Sequence, residues 1–265
     1  MDIVHYFRER RRRALAEQPF PAAWAEIMER NVAYVRKLHP DERKRLEALI
    51  LIFIAEKHFE GCDGVVVTDE MRVTIAAQAC LLLLNLPMAS YDRLSSILIY
   101  PDAFSYAEEI HDDAGLVTLD DEPVNGLASN EGAIALSWPD ALAGAQQCGD
   151  GENVILHEFA HQLDELDDAV DGAPALESRT QYRDWARVLS AEYARLQRDV
   201  EHGVPGLIDS YAATHPAEFF AVVTELFFER PQELKREYPA LYDEVKQYYR
   251  QDPAARTENE EVTDC

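Results

Sequence analysis

Cations, cysteines and long apolar runs are all scarce in this chain of 265 residues. Lys and Arg number 25 against 50 Asp and Glu, which sets the net charge at -25 and the pI near 4.6. Polyanions are bound through positive side chains that release counterions, so a broad nucleic-acid surface is excluded. Acidity of this kind serves solubility in a salty cytosol. The 4 cysteines (Cys62, Cys80, Cys148 and Cys265) stand far apart with no C-x-x-C pair. That excludes a small disulfide scaffold and reads as free thiols in a reducing compartment. The longest apolar stretches, Ala48–Ala55 and Ala79–Leu84, are too short to span a bilayer. Met1–Phe20 has arginines in its middle and no apolar h-region, so no secretion signal is read there. Internal repeats and low-complexity blocks are absent too. The expectation is a cytoplasmic protein with no membrane partner and no direct nucleic-acid partner.

What is present is ordinary globular material. Hydrophobic residues make up 47% of the chain, enough for a substantial core. The charge is uneven: residues 1–50 carry a slight basic excess, and the acidic excess lies beyond them. The basic run Arg10–Arg13 reads as the solvated face of a first helix. Helices are expected at 22–37, 41–59 and 70–86, with Asp69 as the cap of the third and Pro87 as its stop. Gly64–Thr68, Leu94–Tyr100, Leu116–Leu119 and Gly132–Trp138 read as strands. Helix then dominates at 153–167, 179–202, 216–229 and 239–250. The expected organisation is one α+β domain over residues 1–251, with residues 1–20 as a basic N-terminal helix or arm. The small sheet falls in the first half and the helices dominate the second. Residues 252–265 read as an acidic, disordered tail.

The segment Asn153–Asp168 carries the chemistry. It contains His157-Glu158-Phe159-Ala160-His161, an H-E-x-x-H motif. Residues four apart on a helix share a face, so two imidazoles can grip one metal ion. Glu158 sits one residue round from that face, beside the ion, where it can take a proton from activated water. Val154, Ile155, Phe159, Ala160 and Leu163 bury such a helix. Chance alone gives about two such motifs per hundred chains of this composition, so the five residues taken alone are a hypothesis.

A catalytic zinc usually has three protein ligands and keeps a place for water. A third histidine in the metzincin register is missing, because positions 164 and 167 are both Asp. A carboxylate is the better third ligand, and two sets compete. Asp164, Glu165, Asp167 and Asp168 follow the motif directly. Glu218 and Glu225 lie on the strongly apolar helix 216–229, where a buried carboxylate needs a partner. Asp164 and Glu225 are also candidates to accept the outer N–H of a zinc histidine. Trp138 is expected to pack beside the site helix, and Tyr91, Tyr100 and Tyr106 to be core or rim aromatics.

HEFAHQLD at 157–164, with YAATHPAEFFAV at 211–222, resembles the zinc peptidase family of Mlc titration factor A. LIYPDAF at 98–104, LSW at 136–138 and LYDEVKQYYRQDP at 241–253 agree, so the likeness covers roughly residues 20–253. The resemblance implies a zincin-like α+β fold related to the catalytic domain of anthrax lethal factor. It implies zinc held by His157, His161 and Glu218, with Glu158 as general base. Tyr211, which opens the YAA segment, is implied near the site as an oxyanion stabiliser. It also implies a cytoplasmic peptidase of aminopeptidase type acting on a peptide or protein substrate. Some members bind the glucose repressor Mlc and release its control of sugar-uptake genes, so a repressor of the Mlc type is an implied partner. The competing expectation is a non-catalytic regulatory factor that keeps its zinc site. A purely structural zinc is disfavoured, since no cysteine adjoins either motif. The strand Gly132–Trp138 is expected at the sheet edge, holding substrate backbone by strand addition.

Overall fold

The computed structural model describes residues 3–102, 104–105, 108–111, 117–120, 123–124, 126–129, 132–167 and 170–256. Helices α1 (Ile3–Ala16), α2 (Ala22–Asn31) and α3 (Pro40–Glu56) precede strand β1 (His58–Gly61), and α4 (Asp69–Leu82) leads to β2 (Ser96–Tyr100). Short strands follow: β3 (Phe104–Ser105), β4 (Glu108–His111), β5 (Val117–Asp120), β6 (Pro123–Val124), β7 (Gly126–Ser129) and β8 (Ala133–Ser137). The second half is helical, with α5 (Trp138–Gln146), α6 (Val154–Asp164), α7 (Arg179–Glu201), α8 (Pro216–Glu229), α9 (Pro231–Glu237) and α10 (Pro239–Tyr249). This is the expected α+β arrangement.

The main sheet has the order β1-β2-β8-β7. Its first three strands are parallel and β7 runs antiparallel to β8. Parallel neighbours need a long crossover, and α4 supplies it between β1 and β2. Ile97 faces Ile134 and Ile99 faces Leu136 across the β2–β8 pair, and all four are fully buried. β3 with β6, and β4 with β5, form two small antiparallel ladders.

Several expectations need correction. Gly132–Trp138 is not an edge: its strand, β8, lies between β2 and β7, and β7 is the outer strand. Gly64–Thr68 forms no strand: Gly64 sits in a turn at φ +88°, and Val66 is 81% exposed. The strand is instead the preceding segment β1, because β-branched propensity makes no strand without a neighbour. Leu116–Leu119 overlaps β5, which pairs with β4 outside the main sheet. Helix 22–37 ends at Asn31 and continues as a 3₁₀ turn, Ala33–Lys37. The cap of α4 is Thr68, whose hydroxyl accepts from the Met71 N–H. Arg12 is not solvated: it is buried and ion-pairs with Glu56 at 2.7 Å and with Asp92.

Residues 252–256, assigned to the tail on composition, pack onto the body. Ala254 is fully buried. The buried Arg256 guanidinium donates to the Tyr34 hydroxyl at 2.9 Å and to the Glu42 carboxylate. Residues 257–265, and the side chain of Tyr106, lie outside the described residues.

Candidate metal centre

Helix α6 is built around its cap. Asn153 Oδ1 accepts from the Leu156 N–H at 3.1 Å, closing the first turn. Ile155, Leu156, Phe159, Ala160 and Leu163 bury the apolar face. Phe159 meets Phe53 and Tyr91 with ring centroids 5.7 and 5.2 Å apart. The polar face turns to α8, where Glu218, Glu225 and Glu229 recur at helical spacing on one side.

That face brings His157, His161 and Glu218 together. One ligand atom from each lies within 4.8 Å of the others. His161 Nε2 stands 3.2 Å from His157 Nε2, and Glu218 lies 3.0 Å from His157 Nε2 and 3.4 Å from His161 Nε2. Tetrahedral zinc with bonds near 2 Å separates its ligand atoms by about 3.3 Å, so the triangle fits such an ion. Three atoms with lone pairs facing one point repel unless a proton or a cation lies between them.

The outer atoms hold the inner ones in place. His157 Nδ1 lies 2.7 Å from Glu225 Oε1. A carboxylate there keeps the proton on Nδ1 and leaves Nε2 free to bind a metal. The other Glu225 oxygen accepts from the Asn153 backbone N–H. Glu229 accepts from Asn153 Nδ2 at 3.1 Å and from the Gly149 N–H at 2.8 Å. Three carboxylates on α8 therefore fix the cap, the first histidine and the ligand triangle in turn. Sequence reasoning placed Glu225 near the site but missed Asn153 and Glu229. Their signals were a cap residue opening an apolar run and the spacing 218, 225, 229.

The charges shift accordingly. Burial works against a charged His157 ring, but hydrogen bonds to Glu218 and Glu225 outweigh it and raise its pKa well above the ordinary value. Burial likewise opposes the Glu218 carboxylate, yet the two histidines hold it well below the usual carboxylate range. Glu158 is 5% exposed. Burial raises its pKa, and Glu218 and Glu225 add to the rise. A carboxylate whose proton affinity is raised by burial is suited to accepting a proton.

Tyr211 stands across the site on a 3₁₀ turn, Ser210–Ala213, capped by Asp209. It is 55% exposed. Its ring centroid is 6.3 Å from that of His157. Burial and the nearby Glu218 carboxylate raise the pKa of its phenol.

The competing acids lie elsewhere. Asp164 is fully buried and accepts from the Gly172 N–H at 2.9 Å, so it does not hold a zinc histidine as expected. Glu165 accepts from Gln162 at 3.0 Å. The side chains of Asp167 and Asp168 lie outside the described residues. Trp138 is half-buried against the core.

An H-E-x-x-H helix on a small mixed sheet, with a glutamate supplied by a later helix, defines a zincin-like α+β protein with a candidate metal site. The chain belongs to the glucose-regulated metallo-peptidase M90 family, whose sequence model matches residues 6–250. An uncharacterized protein of Synechocystis sp. is 41% identical over 245 residues, which is 92% of this chain and 89% of that protein. Mlc titration factor A of Yersinia pestis is 33% identical over 238 residues, 89% of this chain and 86% of its own length. The protein of the same name from Yersinia pseudotuberculosis matches equally. Among the described residues, no helix is long and apolar enough to cross a membrane.

Proposed function

We propose that this chain is a cytoplasmic zinc-dependent peptidase of aminopeptidase type, with His157, His161 and Glu218 as zinc ligands. The observation that carries the reading is the convergence of these three residues beside a buried Glu158. A zinc ion there supplies Lewis acidity to a peptide carbonyl and lowers the pKa of water toward neutrality. Glu158 accepts a proton from the attacking water on its carboxylate and returns it to the leaving amine nitrogen. Tyr211 Oη donates to the oxygen of the substrate carbonyl as negative charge develops on it. Glu225 keeps His157 in the tautomer and orientation that binding needs. Among the described residues β7 pairs only with β8, and its free edge suits an extended peptide better than β8 does.

Two variants test the reading. Glu158→Gln retains about one zinc per chain and loses peptidase activity by about a thousandfold, because an amide cannot accept the proton. Tyr211→Phe retains zinc and lowers kcat by about a hundredfold, with a smaller effect on KM. Steady-state kinetics on aminoacyl and internally quenched peptides, with metal analysis of each sample, measure both. Glu158→Gln activity within a few-fold of the native protein removes Glu158 from the mechanism. An unchanged kcat in Tyr211→Phe, with chemistry rate-limiting, makes Tyr211 a packing residue.

The name Mlc titration factor A, carried by relatives that match 89% of this chain, favours a second reading. In it the protein binds a repressor of the Mlc type, and catalysis is secondary. Binding of a purified Mlc-type repressor to Glu158→Gln, at native affinity, separates that role from peptide hydrolysis.

A further inference from the structure

We infer that Gly172 is a positioning residue for the metal centre, locking the start of α8, and with it Glu218, to the end of the histidine helix α6. The inference rests on the reading of Glu218 as a ligand. Gly172 joins three elements at one residue. Its N–H donates to Asp164 Oδ2 at 2.9 Å, and Asp164 is the last residue of α6, one turn beyond His161. Its carbonyl accepts from Trp185 Nε1 at 2.9 Å. Trp185, on α7, is buried and meets Phe220 of α8 edge-on with centroids 5.6 Å apart. Its α-carbon lies against the first residue of α8: a Cβ at Gly172 would stand 2.3 Å from the Pro216 carbonyl oxygen.

The close approach is backbone on backbone, so no side-chain rotation relieves it. Relief to an ordinary contact requires a displacement of about 1 Å, and a metal or catalytic site tolerates about half of that. Pro216 precedes Glu218 by two residues within one rigid helix, so the displacement passes to the ligand. The junction also costs stability. Gly172 has a φ of +76°, a conformation open to glycine and strained for other residues. Among the described residues Asp164 Oδ1 is buried with no hydrogen-bond partner, which is destabilising in itself. Costs of this kind gather where geometry must be held for a purpose. The junction thus adds a backbone tie to the polar seam and the apolar packing between the two helices.

The test measures zinc dissociation constants by competition with a chromogenic chelator, together with the visible absorption spectrum of the cobalt-substituted protein. Gly172→Ala is expected to weaken zinc binding about tenfold and to shift the cobalt spectrum toward that of Glu218→Ala. Gly203→Ala is the control: Gly203 has a similar φ of +65° and open space where a Cβ would go. It should lose comparable stability and keep native zinc affinity and spectrum. A loss below threefold in Gly172→Ala, or an equal loss in Gly203→Ala, overturns the inference. If Gly172→Ala does not fold, Trp185→Phe decides, because it removes the donor to the Gly172 carbonyl and keeps an aromatic ring beside Phe220. A threefold or greater weakening there supports the junction, and a smaller one overturns it. Native zinc affinity in Glu218→Ala overturns the ligand reading itself, whereas weak Glu218→Ala binding beside native Gly172→Ala binding overturns the junction alone.

Discussion

Helices α4 and α8 both pack against α6, and both bury most of their length, yet they meet it in opposite ways. In α4 every residue from Val73 to Leu82 is buried, and only Thr74 and Gln78 among them are polar. Thr74 receives Asn31 Nδ2 at 3.1 Å, while Gln78 Oε1 has no hydrogen-bond partner among the described residues. In α8 the buried stretch includes the carboxylates Glu225 and Glu229, and the half-buried Glu218 opens the same face. Each of the three meets donors on α6 or its cap. Burial alone therefore does not tell a wall from a working surface. What separates them is that the polar groups of α8 are carboxylates paired with α6 or its cap, because a buried charge is tolerated only when paired.

The contrast can be broken by exchanging loss of packing for loss of partnership. Leu81→Ala, in α4, empties core volume and should cost about 2–5 kcal/mol. Metal content per folded molecule should stay native, as read by denaturant unfolding and elemental analysis. A proportionate loss of metal would mean that the apolar wall also sets the ligands.

The second prediction concerns the end of α6. Burial pushes the Asp164 carboxyl up to about 6. A raised acid pKa means that the folded state binds the proton more tightly than the unfolded chain, whose Asp titrates near 3.9. The contribution is therefore full below about pH 4 and is lost as pH rises through about 6, some ~3 kcal/mol in all. In the metal-free protein, Asp164→Asn should gain stability relative to the native chain across that window. Asn still offers an oxygen to the Gly172 N–H. A stability difference that stays constant from pH 4 to pH 8 would assign the shift elsewhere.

The smallest effect sharpens the comparison from the other side. Glu225→Ala leaves His157 Nδ1 and the Asn153 N–H without their acceptor. Zinc affinity should fall about 10–100-fold, the usual loss when the partner of a metal histidine is removed. The unfolding midpoint should move less than in Leu81→Ala. Chelator competition and thermal melts on the two variants make the comparison directly.

What the sequence displayed about this arrangement followed from local periodicity. H-E-x-x-H needs only one helical turn to be read, and the PAE segment marked Glu218 through its family resemblance. The partnerships behind them are not periodic. Asn153 joins Glu229 across 76 residues, and Gly172 meets Pro216 through an α-carbon, so neither leaves a pattern in its own neighbourhood. The strands show the same limit. Gly64–Thr68 has the right residues and no neighbour, whereas His58–Gly61 has weaker residues and pairs with β2. β8 reads as an edge until both flanks are counted. In α1, four consecutive arginines look alike in sequence, and only the carboxylates of Glu56 and Asp92 single out Arg12.

The clasp between Arg256 and Glu42 has a consequence for how the molecule is made. The two residues are 214 positions apart in the chain. At a synthesis rate of about 5–20 residues per second, Glu42 leaves the peptidyl-transferase centre about 10–40 s before its partner is added. Throughout that interval the N-terminal helices lack the guanidinium that later bridges Tyr34 and Glu42. Contacts of such long sequence separation form late, because the loop between them must close first. The early helices thus leave the ribosome long before this bond can form, and that contact waits for the rest of the domain to be made.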